Sequence, residues 1–374
     1  MKLLDLTWRV YRIPFRRPFV TAHGVLAVRI GAIVTARTDD GSTGYGEVAP
    51  LPEQSGVSLD AVLSLLPRLA SELCGREMGD ILSFLEYASE EGQFPSPLLC
   101  GLESALLDAH GRASGHSLAA LLARGYPREE SIPVSELRAR IAVNVVIGGA
   151  TTELAVEQAR AAVDAGFACL KLKLADASYS VVERVASIRA AVGASIRLRL
   201  DANEGWSFEQ ARSLLARCAE YDIEYIEQPL PASDLQGMVH LRRLALVPIA
   251  ADEAVSGLSS ARRLLAAGAA DVLILKPQLA GGLRACRRII QDASRCGVAC
   301  VITSTLEAGL GVAAALELVA ASPEVTLPCG LATLDLLKND LLRDGLLIER
   351  GHIKLPVGPG IGVELDEGAL ARYA

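Results

Sequence analysis

Lys171 and Lys173 stand two residues apart in an otherwise apolar run, Phe167-Ala-Cys-Leu-Lys-Leu-Lys-Leu174. If the run is a buried strand, both side chains point to the same face. Two ammonium groups crowded together disfavour each other's charge, and a lysine with a depressed pKa can take a proton at neutral pH. The plainer alternative is an edge strand with both lysines in water. Against it stand the residues that close the apolar runs downstream, Asp201, Glu227, Asp252 and Lys276. A lysine pair facing three carboxylates and another lysine is a catalytic arrangement.

Three carboxylates from neighbouring strands form a hard, all-oxygen site, which suits Mg²⁺ or Mn²⁺ and not a thiolate-loving metal. Asp201, Glu227 and Asp252 are the candidate ligands. Pairing with the lysines and Arg199 as a buried ion-pair network is the alternative. Three acids converging without a metal would, however, repel one another. Arg199 shares strand parity with Asp201, so it faces inward, where it could orient a ligand carboxylate; Asn203 could serve similarly. A divalent cation on a substrate carboxylate neutralises the charge that develops when the adjacent carbon loses its proton. Lys173 is the expected base, with Lys171 keeping its pKa low and bonding to the carboxylate. Lys276 approaches from the opposite face as a second base or a fixed cation.

The elements that must position these groups come in two textures. Strands are expected at Leu4 to Ile13, Val28 to Thr38 and Tyr45 to Val48, with Asp40-Gly41 as the hairpin turn between the last two. Helical periodicity follows over Leu59 to Cys74 and Pro97 to Ala113. From about Arg140 the pattern becomes apolar strand, loop, amphipathic helix. Strands are expected at Ile141 to Ile147, Cys169 to Leu174, Ile196 to Leu200, Ile223 to Ile226, Val247 to Ala251, Val272 to Leu275 and Val298 to Thr303. An eighth, weaker one lies near Leu327 to Leu331. Helices such as Thr152 to Ala165, Phe208 to Tyr221 and Gly282 to Cys296 fall between them. Alternation implies parallel pairing, and eight strands at this spacing with no Gly-x-Gly-x-x-Gly fit a (β/α) barrel, whose chemistry sits at the carboxyl ends of its strands. The polar residues obey that rule: Lys171-Leu-Lys173, Asp201-Ala-Asn203, Glu227-Gln228-Pro229, Asp252-Glu253 and Lys276-Pro277 end five consecutive strands.

At 374 residues the chain is one large domain or two unequal ones. Half the residues are hydrophobic, enough for a large core. A net charge of −7 without a basic stripe, and only 4% aromatic residues, exclude nucleic-acid binding and leave a small-molecule carboxylate as the expected partner. Like-chain association is compatible with this composition. No signal peptide and no membrane-spanning run is evident, so a cytoplasmic protein is expected. The 8 cysteines, among them Cys169, Cys218 and Cys300, show no paired spacing and read as buried reduced thiols.

With these motifs in this order, the chain resembles the enolase superfamily, specifically its muconate-lactonizing subgroup. The resemblance implies an α/β fold, a (β/α)7β modified TIM barrel over residues 135–340, and an α+β capping domain built from residues 1–125 and the tail 345–374. The superfamily pairs a Lys or His base with Mg²⁺. Within the subgroup the chain is most similar to the o-succinylbenzoate synthase family, Mg-dependent dehydratases of menaquinone and phylloquinone biosynthesis. Three stretches carry that likeness: Arg17 to Gly24, Ile302 to Glu307 and Cys329 to Leu337. The likeness implies that Ser304 and Thr305 contact substrate, although that family's stretch is usually richer in serine. It also implies that Thr21 to Gly24 forms a loop closing over the substrate, with His23 and Arg29 as candidate contacts for the succinyl group. Dipeptide epimerases of the subgroup carry an Asp-x-Asp where this chain has Leu331-Ala-Thr333. N-succinylamino-acid racemases share the same catalytic residues and are the nearest rival.

Overall fold

The computed structural model describes residues 1–21, 24–123, 138–174 and 180–374. The chain begins with a long antiparallel hairpin, β1 (Leu3–Thr21) and β2 (Gly24–Thr38), to which β3 (Thr43–Val48) adds as a third strand. Asp40-Gly41 makes the expected β2–β3 turn, with Gly41 at φ +86° donating its N–H to Thr38 O at 3.0 Å. Five short or medium helices follow: α1 (Pro52–Ser55), α2 (Leu59–Leu63), α3 (Leu66–Leu73), α4 (Met78–Glu90) and α5 (Ser96–Ser114). A sixth, α6 (Leu118–Ala123), completes the set. The single helix expected over Leu59 to Cys74 is two, because Pro67 has no N–H to carry the ladder on from Leu63. Helix α5 lies directly on β3. A Cβ added at Gly46 would sit 2.0 Å from Gly101 O, so only glycine permits this contact.

The stretch expected as one strand over Ile141 to Ile147 divides. Its first half, β4 (Arg140–Ala142), pairs with a hairpin from the tail, and its second half, β5 (Val145–Ile147), opens the barrel. Helices and strands then alternate: α7 (Thr152–Asp164), β6 (Cys169–Lys173), α8 (Ser180–Val192), β7 (Arg197–Asp201), α9 (Phe208–Cys218), β8 (Ile223–Glu227), α10 (Leu235–Leu244), β9 (Ile249–Ala251), α11 (Leu258–Ala267), β10 (Val272–Leu275), α12 (Leu283–Arg295), β11 (Ala299–Ile302) and α13 (Gly309–Ala320). The strands β5 to β11 form one parallel sheet in chain order. The eighth position is held by Cys329 and Gly330 alone. Cys329 exchanges hydrogen bonds with Ala142 O and Asn144 N, and Gly330 with Ile302 O and Ser304 N, at 2.8 to 3.1 Å, so the ring closes. Pro328, which has no N–H to donate, immediately precedes this short segment.

Three barrel helices start on side-chain caps: Thr151 accepts from Leu154 N, Ser207 forms a capping box with Gln210, and Asp234 accepts from Gly237 N. Most side chains under them join one continuous apolar core, while Tyr225, Ala250, Val272, Ile274 and Val301 fill the barrel interior. The tail adds β12 (Ile348–Glu349), β13 (His352–Lys354) and α14 (Glu367–Arg372). It reaches back to the first unit as well: Tyr373 O accepts from Arg12 N at 2.6 Å, and Gly360 O from Leu118 N at 2.6 Å. Of the cysteines, Cys296 is exposed and Cys74 half-buried, which corrects the expectation of eight buried thiols; all are free. No helix among the described residues is long and apolar enough to cross a membrane.

Candidate active site at the strand ends

Register brings the charged strand ends together. Lys173 is the Cα partner of Asp201, and Asp201 of Glu227, so the ends of β6, β7 and β8 are level. Asp252 follows β9 by one residue and Lys276 follows β10 by one. In a ring of eight, β6 and β10 lie opposite, which places Lys173 and Lys276 on facing walls.

Lys171 Nζ lies 2.8 Å from Glu227 Oε1 and 3.0 Å from Asp201 Oδ2. Lys173 Nζ lies 2.7 Å from Asp201 Oδ2 and 2.8 Å from Asn203 Oδ1, and its side chain, 35% exposed, is the most open of the three lysines. Asp201, Glu227 and Asp252 are themselves buried. Burial alone would push Lys171 down, but Glu227, Asp201 and Asp252 outweigh it and hold its ammonium well above the usual lysine range. The acids that Lys171 faces thus hold it charged, against both its burial and its neighbour Lys173. Lys276 behaves alike: burial lowers it, and Asp252, Glu253 and Glu227 raise it further. Burial raises Asp201, yet Lys171 and Lys173 hold it below the carboxylate range, whereas burial and the adjacent Asp201 push Glu227 up. Two carboxylates side by side share the cost by ionising one at a time.

The donor set of three buried carboxylates fits a hard divalent cation in kind and in placement on adjacent strands. As the side chains stand, each acid is turned onto a lysine, and among the described residues no three acids, histidines or cysteines converge as a ready cage. Arg199 stands one layer below. Its guanidinium bonds Glu224 Oε2 at 2.5 Å, Asn144 Oδ1 at 3.1 Å and Pro328 O at 2.7 Å, and lies 4.8 Å over the Tyr225 ring. These partners tie the barrel floor at its closure, not the three acids.

Asn203 is held by Asp201 Oδ1 through its own N–H and gives its side-chain amide to Glu253 Oε1 at 3.1 Å, which leaves its carbonyl oxygen on Lys173. Ser304 Oγ lies 2.8 Å from Thr333 Oγ1, joining the ends of β11 and the last strand; Thr305 Oγ1 is buried with no partner among the described residues. Gln228, Glu253 and Thr333 had no assigned role in the sequence. Gln228 sits at φ 37° and accepts from Asp252 N and Ala254 N, fixing the third acid. Its place inside Glu-Gln-Pro was the available signal. His23 lies outside the described residues, and Arg29 is buried between cap and barrel.

Residues 154–369 match the family model described as enolase C-terminal domain-like, and residues 5–123 match the N-terminal domain of mandelate racemase / muconate lactonizing enzyme. The chain belongs to the enolase superfamily. Superfamily members use Mg²⁺. An o-succinylbenzoate synthase of Thermobifida fusca is 37% identical over 239 residues, covering 63% of this chain and 71% of that one. Muconate cycloisomerase 1 of Rhodococcus opacus is 29% identical over 381 residues, 100% of this chain and 98% of the relative. The dipeptide epimerase of Enterococcus faecalis, solved with Mg and the dipeptide L-Leu-L-Tyr, superposes with a TM-score of 0.88 at 26% identity over 97% of this chain and 100% of that one.

Proposed function

We propose that this protein is an o-succinylbenzoate synthase, eliminating water from 2-succinyl-6-hydroxy-2,4-cyclohexadiene-1-carboxylate. The observation that carries this reading is the end of the last strand, where Thr333 and Ser304 offer paired hydroxyls 2.8 Å apart. The next acid along, Asp335, is exposed. Among the described residues a free ammonium group has no counterion at this strand end, whereas an anionic succinyl arm finds the hydroxyl proton that the Ser304–Thr333 bond leaves over.

Asp201, Glu227 and Asp252 would hold Mg²⁺, which neutralises the charge developing on the substrate carboxylate. Lys173, the most open of the three lysines and held by Asn203, removes the proton α to the carboxylate and returns it to the departing hydroxyl. Lys171 bonds the carboxylate from beside Glu227. Lys276, on the facing wall, stabilises the dianion and lies over the ring as a cation. Facing lysines also suit racemisation of N-succinyl amino acids, which needs a base on each face. Assay of the purified protein with Mg²⁺ against both substrates separates the two. Turnover of the cyclohexadiene supports the dehydratase; racemisation alone refutes it.

A further inference from the structure

Arg29 is read from sequence as a substrate contact, yet it is 3% exposed and spends its donors on backbone carbonyls. Nε bonds Leu306 O at 2.9 Å, Nη1 bonds Ile30 O at 2.9 Å and Pro50 O at 2.8 Å, and Nη2 bonds Ala49 O and, at 3.2 Å, Thr305 O. One planar fork thus joins the cap segment after β3 to the barrel loop after β11. Glu47 makes a second joint. Its Oε1 accepts from Tyr11 Oη at 2.5 Å and Ala308 N at 2.8 Å, and its Oε2 accepts from Gly311 N at 2.8 Å, at the start of α13. A Cβ on Gly311 would lie 2.7 Å from Glu307 Cβ and 3.1 Å from Glu47 Oε2, so glycine leaves both acids room. Glu307 holds Thr305 N at 2.5 Å.

The same cap segment is tied to the strand that carries Lys276. Gln278, two residues on and buried, accepts from Ala49 N at 3.0 Å and donates to Glu47 O at 2.8 Å. Segment 47–50 is therefore bonded to the loops after both β10 and β11.

We propose that Arg29, Glu47, Gln278 and Glu307 are positioning residues that use the cap segment 47–50 as a template to fix the Lys276 loop and the Ser304–Thr305 loop relative to each other. The device requires that catalysis occur at these strand ends and does not depend on which carboxylate is the substrate. Lysine at position 29 keeps the charge but has one nitrogen, which cannot span both loops. Hydrogen–deuterium exchange of Arg29→Lys without substrate should be faster over 303–311 and 47–51. In turnover, kcat/KM should fall at least about tenfold, KM rising as the Ser304–Thr305 loop is displaced and kcat falling as Lys276 is displaced. A folded Arg29→Lys with native exchange in both segments and native kcat/KM overturns the proposal. If Arg29→Lys does not fold, Glu307→Ala and Glu307→Gln decide. Gln still accepts from Thr305 N, so it should restore the kcat/KM lost in the alanine variant; an alanine variant with native kcat/KM and exchange overturns the proposal. Should the cyclohexadiene not be turned over, the dehydratase reading fails and the substrate-free exchange remains decisive here.

Discussion

Lys276 and Asp252 form a buried ion pair, Nζ to Oδ2 2.7 Å, in which the third acid of the strand-end set is turned onto the lysine of the neighbouring strand. A cation held by Asp252 would share that carboxylate with the Lys276 ammonium. Removing the acid and removing the lysine should act oppositely on affinity. Asp252→Ala should weaken Mg²⁺ binding by at least about tenfold, about 1.4 kcal/mol, in calorimetric titration. Lys276→Ala should leave it unchanged or tighter. Unchanged Mg²⁺ binding in Asp252→Ala would move the metal elsewhere.

The lysines on the two walls should separate in kinetics. Lys173→Ala is expected to abolish both dehydration and exchange of the substrate α-proton with solvent deuterium. Lys276→Ala should slow dehydration by about 10²–10³, the usual cost of losing one group that stabilises developing charge. Equal, slight effects of both substitutions would remove them from the chemistry.

Glu317 is fully buried in α13. Its Oε2 accepts from Ala119 N at 2.7 Å, its Oε1 has no partner among the described residues, and burial pushes its pKa from 4.5 up to about 8. Glu307, pushed up to about 7 by burial and by Glu47, behaves alike. A carboxyl raised on folding holds a proton that the unfolded chain has released. Its contribution is complete below about 4.5 and is lost as pH rises through the folded value, by up to about 1.4 kcal/mol per pH unit for each group. The urea midpoint should fall between pH 5 and 8, and Glu317→Gln should flatten that fall. Identical pH profiles for the two proteins would refute the raised pKa.

The strand ends were legible because charge closing an apolar run has few structural explanations, and in five consecutive runs it marks one rim. What escaped was depth. Parity correctly points Arg199 inward, but parity does not say which layer a side chain occupies, and its partners Glu224 and Pro328 O lie below the acids. Arg29 escaped for a similar reason: a lone arginine in the first hairpin reads as a substrate contact until the carbonyls of 49, 50, 305 and 306 arrive from distant sequence. The charge of Lys171 is set by the ion-pair alternative and not by its sequence neighbour Lys173. Glu227 and Asp201, far along the chain, are what Lys171 touches. Val143 and Asn144 divide one apolar run between two sheets, a choice made by the tail hairpin and Cys329.

Arg199→Met should test the floor independently of the chemistry. It removes the donor of Pro328 O and leaves Glu224 only Arg197 at 3.3 Å, so the cost should fall below the about 3–5 kcal/mol of stranding a fully buried charge. The urea midpoint should drop with an unchanged slope. A native midpoint would mean the pair contributes nothing net.

The most direct test of the dehydratase reading is a steady-state assay of the native protein with Mg²⁺ on 2-succinyl-6-hydroxy-2,4-cyclohexadiene-1-carboxylate, run beside deuterium exchange of both enantiomers of an N-succinyl amino acid. Formation of o-succinylbenzoate, lost in Lys173→Ala, is the predicted result. No turnover of the cyclohexadiene, together with robust exchange of the N-succinyl amino acid, would contradict it and make the protein a racemase.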